Sequence, residues 1–340
     1  MLSFMVLLAL LAGCRPVPAP TPLQAYFAPS ALDLQTGGVR MVPVHTAKGT
    51  FHVWTKRFGH NPRIKLLLLH GGPGATHEYF EGLETWLGAE GVEFIYYDQL
   101  GSAYSDQPTD TSLWTVDRFV DEVEQVRQAL GLTRDNFYLL GHSWGGILAV
   151  EYALKYPQNL KGLIISNMMM SIPDYNAYAA RVLAPRMDPV VLKEIKGLEA
   201  KGDYDNPRYM ALLTPAFYHA HVCRLADWPD PVNRGLGHIN KQIYVLMQGP
   251  SEFGASGRLE HWDRKADLPK LAMPTLVIGA AHDTMDPAHM KWVAGQVQHG
   301  SYLFCSKGSH MAMWDDQATY AQGLIRFLEA VDQGNTQVRF

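Results

Sequence analysis

The chain has little cysteine, no excess of positive charge and no N-terminal apolar run long enough to cross a bilayer, and each absence removes a class of protein. Its three cysteines, Cys14, Cys223 and Cys305, are widely separated and form no C-x-x-C pair, so neither a disulfide framework nor a thiolate zinc site is indicated. Lys and Arg number 29 against 33 Asp and Glu, a net charge of -4, and no Lys/Arg block appears, so no nucleic-acid partner is expected. The apolar stretch at residues 5–12 is too short for a stable spanning helix. Internal repeats and low-complexity core segments are also missing. What is plentiful is apolar side chain, 47% of 340 residues, enough to bury a large core in one domain or in a domain with a substantial insertion.

Residues 1–13 carry no charged side chain and read as a signal peptide with a short hydrophobic region. Leu11-Ala12-Gly13-Cys14 resembles the bacterial lipoprotein box, which implies cleavage before Cys14 and its lipidation. Residues 14–35 then form a tether, Pro-rich at 15–22, of the extended kind that holds a folded domain off a surface. Several acyl chains would make membrane attachment stable, so the expected location is the bacterial cell envelope, on the periplasmic or extracellular face.

From residue 36 the pattern is one of alternating strands and helices. Segments 39–44 and 51–56 flank Lys48-Gly49 as an antiparallel hairpin. Runs at 64–69, 94–97, 137–140, 163–165, 274–279 and 302–305 read as strands, the 64–69 run apolar on both faces as covered parallel strands are. Helical spacing marks 117–130, with Gly131 as the stop, and 316–330. Between about 168 and 267 no strong strand run occurs, only amphipathic pieces near 175–182, 190–198, 209–220 and 241–247. This predicts an α/β fold with a mostly parallel sheet flanked by helices: core at 36–167 and 268–340, helical cap at 168–267, and a site at the carboxyl ends of the strands.

The chemistry centres on Gly141-His142-Ser143-Trp144-Gly145-Gly146, which follows an apolar strand and opens a helix. A bare G-x-S-x-G arises by chance in roughly one chain in ten of this length. The strand–turn–helix setting is what marks Ser143 as a nucleophile, because that turn raises the hydroxyl above the sheet edge. A serine hydroxyl needs a base, and the base needs an acid to orient it. His310 after the 302–305 run and Asp283 after the 274–279 run supply them in the chain order expected of this fold. Asp286 is the rival acid, but its place before Pro287 suits a helix cap. His70-Gly71-Gly72-Pro73-Gly74 holds more turn formers than a turn requires, and with Trp144 N–H it offers Gly72 N–H to an oxyanion.

Together His70-Gly71-Gly72-Pro73-Gly74, Tyr97-Asp98-Gln99, Gly141–Gly146 and Gly308-Ser309-His310 resemble the proline iminopeptidase family of α/β-hydrolases, over about residues 36–330. Gln248-Gly249-Pro250-Ser251-Glu252-Phe253 and Ile172-Pro173-Asp174-Tyr175 are similar to the tricorn-interacting aminopeptidase branch. The resemblance implies an α/β-hydrolase fold and a serine exopeptidase that releases N-terminal proline, or another small apolar residue, through an acyl-enzyme, with no cofactor or metal. Its expected partners are short peptides or amides with a free N-terminus. It also implies that Glu252 binds the substrate amine; the bland alternative is a solvated loop glutamate. Trp144 would give the pocket a face as well as its N–H, unless its indole packs in the core. In that branch a second glutamate follows the triad aspartate, where this chain has Thr284. The same triad could instead serve an esterase, lactonase or amidase acting on small molecules.

Overall fold

Leu66, Leu67, Leu68 and Leu69 are wholly buried, and alternate members face opposite sides of a sheet. Leu67 and Leu69 join one apolar cluster, with Leu139 and Ile165 from neighbouring strands; Leu66 and Leu68 join the other, with Leu140 and Ile164. A strand covered on both faces must be apolar throughout, and each leucine so buried contributes about 1.5–3 kcal/mol. The computed structural model describes residues 35–340. The expected signal peptide, Cys14 and the tether as far as residue 34 lie outside the described residues.

Among the described residues nine strands form the sheet, in the order β1-β2-β3-β5-β4-β6-β7-β8-β9. They are β1 (Gln35–Thr36), β2 (Val39–Thr46), β3 (Gly49–Phe58), β4 (Lys65–Leu69), β5 (Glu93–Tyr97), β6 (Phe137–His142), β7 (Gly162–Ser166), β8 (Thr275–Ala280) and β9 (Gly300–Cys305). From β5 to β9 every pairing is parallel; β1, β2 and β3 add an antiparallel edge. The β2–β3 hairpin forms as its alternating pattern predicts, but it turns at Ala47-Lys48, one residue before Lys48-Gly49, because Gly49 already pairs with Thr46.

Helix α1 (Val116–Ala129) buries Phe119, Val120, Val123 and Val126 on one stripe, starts on the Thr115 hydroxyl and stops before Gly131 at φ 63°. Helix α2 (Trp144–Lys155) leaves the serine turn into the core. Between β7 and β8 the chain runs through helices Ile172–Tyr178, Pro189–Glu199, Pro207–Leu213, α3 (Asp230–Gly237) and α4 (Lys241–Met247), with a single Ser171–Asp263 bridge as its β contact. Helices α5 (Pro287–Gln296) and α6 (Gln317–Asp332) complete the described chain. Cys223 and Cys305 are buried free thiols.

Helix α3 departs from the sequence expectation. Its residues Asp-Pro-Val-Asn-Arg-Gly-Leu-Gly include two glycines and an asparagine, poor helix formers. Tertiary contacts hold it: Arg234 bridges Glu78 and Glu81, besides Asp230 one turn back, and Gly235 lets the helix lie against Tyr79.

Candidate active site

The loops after β4, β5, β6, β7, β8 and β9 all open at the same edge of the parallel strands, where α/β sheets bind ligands. Ser143 occupies the turn after β6 at φ 56° and ψ −127°, a conformation that a non-glycine residue adopts only when its surroundings impose it. Its N–H donates to the Ser166 carbonyl at 3.0 Å, and its own carbonyl accepts from Gly146 N–H at 2.7 Å. Position 145 must be glycine, since a Cβ there would collide with the Leu69 carbonyl.

His310, 3% exposed, lies with Nδ1 2.8 Å from Asp283 Oδ1. Nδ1 carries the hydrogen of that bond, which leaves Nε2 as the basic nitrogen. Burial opposes a charge on the imidazole. The Asp283 carboxylate outweighs it through charge and hydrogen bond, and Glu252 adds to the effect, so the His310 pKa is raised. Asp283 is itself held by Asn167 Nδ2 at 2.7 Å, Met285 N–H at 3.2 Å and the Thr284 hydroxyl at 3.3 Å. Asp286 instead accepts from Ala288 N–H at 2.9 Å and caps α5. Thr284, wholly buried, lies against His310 and Asp283 rather than at a substrate rim.

Two backbone N–H groups next to Ser143 have no acceptor among the described residues: that of Trp144, at the start of α2, and that of Gly72. The Gly71 N–H is already donated to the Tyr79 hydroxyl at 2.6 Å. Gly72 has φ 107°, and a Cβ there would lie 2.6 Å from Ala75 N. Gln99 ties this loop to the nucleophile turn. Its N–H donates to His70 Nε2 at 3.1 Å, its side-chain amide donates to the His70 carbonyl at 3.0 Å, and its Oε1 accepts from Trp144 Nε1 at 2.8 Å. Burial lowers the His70 pKa to about 4, so the ring is neutral and can accept that bond. The Trp144 indole is therefore a core group, packed edge-on to Phe119, and does not line the cavity above Ser143. The expected pocket face is corrected on that point, since the bond to Gln99 draws the ring inward.

Ser143, His310, Gly71, Gly72 and Glu252 line one cavity, together with Val222, Leu236 and Ile239 from the helical segment between β7 and β8. Two wider clefts of about 580 Å³ each lie elsewhere, and neither is lined by Ser143, Asp283 or His310. Glu252 sits among three tyrosines. The Tyr244 hydroxyl donates to its Oε1 at 2.5 Å, the Tyr218 hydroxyl accepts its N–H at 3.2 Å, and the Tyr175 hydroxyl donates to its carbonyl. No cation among the described residues pairs with the Glu252 carboxylate.

Asn167, Tyr79, Tyr218 and Tyr244 were not singled out by the sequence, and Tyr175 entered only within the motif at 172–175, without a role. Of the first four, Asn167 alone left a trace there: it directly follows a strand, and asparagine tolerates the left-handed conformation it adopts, at φ 53°.

Residues 65–317 match the family model described as alpha/beta hydrolase fold. The chain is 61% identical to a proline iminopeptidase of Flavobacterium johnsoniae over 292 residues, 86% of this chain and 98% of that protein. It is 60% identical to one of Elizabethkingia meningoseptica over 294 residues, 86% of this chain and 98% of that protein. Among solved structures, the proline iminopeptidase of Mycobacterium smegmatis superposes with a TM-score of 0.75 at 28% identity, covering 87% of this chain and 99% of that one.

Proposed function

The chain belongs to the proline iminopeptidase family of α/β-hydrolases, and from that premise we propose that it is a serine exopeptidase releasing N-terminal proline from peptides or amides through an acyl-enzyme. The observation that carries this reading is the shared cavity, which brings Ser143 and His310 together with a carboxylate, Glu252, that has no cation of its own.

In the first half-reaction His310 Nε2 takes the proton of Ser143 Oγ as the oxygen attacks the carbonyl carbon of the N-terminal residue. The negative oxygen of the tetrahedral intermediate accepts from Gly72 N–H and Trp144 N–H, whose freedom from other partners suits them to a charge that exists only transiently. Asp283 stabilises the imidazolium, which then protonates the leaving amine and leaves an aminoacyl ester on Ser143. Water, deprotonated by His310, hydrolyses the ester. Throughout, the substrate's ring ammonium lies at Glu252, whose charge offsets the cost of burying a cation, while Val222, Leu236 and Ile239 provide apolar contact.

Wild type should hydrolyse prolyl-arylamide and be labelled at Ser143 by a fluorophosphonate. Ser143→Ala should lose both, with kcat lower by about 10⁴-fold or more. Retained hydrolysis in Ser143→Ala would show that another residue carries the reaction. One second reading follows from Thr284, which stands where the tricorn-interacting branch has a second glutamate and so loosens the demand for an amine. An esterase, lactonase or amino-acid amidase with the same triad would then turn over short esters orders of magnitude faster than free-amine substrates.

Finer placement in the tricorn-interacting branch rests on residues 248–253 and 172–175. Attachment to the bacterial envelope through Cys14 rests on Leu11-Ala12-Gly13-Cys14 and the proline-rich stretch after it. Labelled palmitate should enter the wild-type protein in a bacterial host and fail to enter Cys14→Ser.

A further inference from the structure

Tyr79 and His142 lie between the two halves of the catalytic machinery, and neither has a step in the reaction above. Both line the cavity over Ser143 and are almost wholly buried. Tyr79 belongs to the short helical segment His77–Leu83 that follows the Gly72 loop, and His142 ends β6 immediately before the nucleophile. Three hydrogen bonds join them in series. Gly71 N–H donates to the Tyr79 hydroxyl at 2.6 Å, that hydroxyl lies 3.0 Å from His142 Nδ1, and His142 Nε2 lies 2.8 Å from the His310 carbonyl oxygen.

Chemistry fixes the direction at both ends. An amide N–H can only donate and a carbonyl oxygen can only accept. His142 Nε2 must therefore carry a hydrogen. A neutral ring then presents Nδ1 as an acceptor, and the Tyr79 O–H is its donor. Burial, with His310 close by, brings the His142 pKa down to about 3, which keeps the ring neutral in use. Burial also raises the Tyr79 pKa well above its ordinary value, so the hydroxyl keeps its proton. The series has one orientation and no slack: Gly71 N–H to Tyr79, Tyr79 O–H to His142, His142 N–H to His310.

We propose that Tyr79 and His142 are positioning residues that hold the oxyanion loop at Gly71–Gly72 and the main chain of His310 in one fixed relation. With the Gly71 N–H occupied, Gly72 N–H is the loop donor left for the developing charge. With the His310 carbonyl pinned by Nε2–H, the imidazole pivots from a fixed backbone while Asp283 sets its ring. The inference rests on the reading above of Gly72 as oxyanion donor and His310 as base. Aromatic packing alone, with ring centroids 5.2 Å apart for Tyr79–His142 and 4.8 Å for His142–His310, would give the same burial without this catalytic consequence.

The test uses Tyr79→Phe, His142→Leu, His142→Gln and the Tyr79→Phe/His142→Leu double variant. Glutamine can repeat both bonds of His142, its carbonyl accepting from Tyr79 and its amide donating to His310, whereas leucine can repeat neither. Tyr79→Phe and His142→Leu should each lower kcat on prolyl-arylamide by about 10- to 100-fold with KM within about two-fold, because misplaced groups cost transition-state rather than ground-state binding. His142→Gln should return to within about three-fold of wild type, with the same acid limb in its pH–rate profile, since His142 does not titrate there. The double variant should be no slower than the slower single one, as expected for members of one network. Fluorophosphonate labelling rates should follow the same order, and they need no substrate amine. Should wild type label at Ser143 yet ignore prolyl substrates, the functional reading fails while the labelling rates still measure the series. A folded Tyr79→Phe with unchanged kcat and unchanged labelling would overturn the inference. So would His142→Gln as slow as His142→Leu, or multiplicative losses in the double variant. Tyr79→Phe removes one oxygen atom, so it decides the matter even where His142→Leu does not fold.

Discussion

Asn167 donates through Nδ2 to Asp283 Oδ2 at 2.7 Å, which leaves Oδ1 to meet His310 Nδ1 at 2.8 Å. The amide cannot turn over freely, because Ser166 Oγ donates to Asn167 Oδ1 at 2.8 Å. The acid of the triad is thus oriented by a residue on the neighbouring strand end. Asn167→Ala removes the donor and puts alanine, which tolerates the left-handed region less well than asparagine, at φ 53°. It should cost about 1–3 kcal/mol in denaturant unfolding. Its kcat should fall by about ten-fold or more with KM little changed, as measured on prolyl-arylamide.

The pH dependence follows from His310. Catalysis needs the neutral imidazole, so kcat/KM rises as pH passes upward through the folded pKa, which is raised above the ordinary histidine value of about 6.5. Because Glu252 contributes to that elevation, Glu252→Gln should move the acid limb to lower pH. An unmoved limb would mean that the two groups do not interact. Stability carries the opposite sign: a raised folded pKa gives His310 a contribution that is full below the unfolded pKa and lost as pH rises through the folded one.

Arg234 fastens one wall of the cavity. It contacts Glu78 at 2.5 Å and Glu81 and Asp230 at 2.7 Å each, while His238 Nδ1 lies 2.8 Å from Glu78 Oε2. Leu236 and Ile239, on either side of His238, line the cavity. Arg234→Ala leaves the buried Glu78 carboxylate short of a partner and should cost about 1–3 kcal/mol. It should also raise KM more than it lowers kcat. Thermal unfolding and steady-state kinetics on the same preparation would check both.

The parallel strands were legible because both their faces are apolar, and the serine turn because its glycines and its strand–helix setting are local. Asp283 and His310 were legible through chain order, each following its own strand. Asn167 and Tyr79 were not, since their roles depend on partners 116 and 63 residues away, respectively. His142 sat inside the motif, yet nothing in the sequence links it to the His310 carbonyl. Helix α3 was illegible for another reason: its own residues disfavour a helix, and ion pairs with the segment His77–Leu83 hold it. Trp144 shows the reverse error, an aromatic beside a nucleophile that reads as pocket wall until its N–H is found on Gln99.

The most direct test of the account compares wild-type kcat/KM on prolyl-arylamide with that on its N-acetylated form. Acetylation removes the charge that Glu252 is there to meet and leaves its half-buried carboxylate without a cation. The account predicts a preference of about 100-fold or more for the free amine. Equal hydrolysis of the two substrates would contradict it.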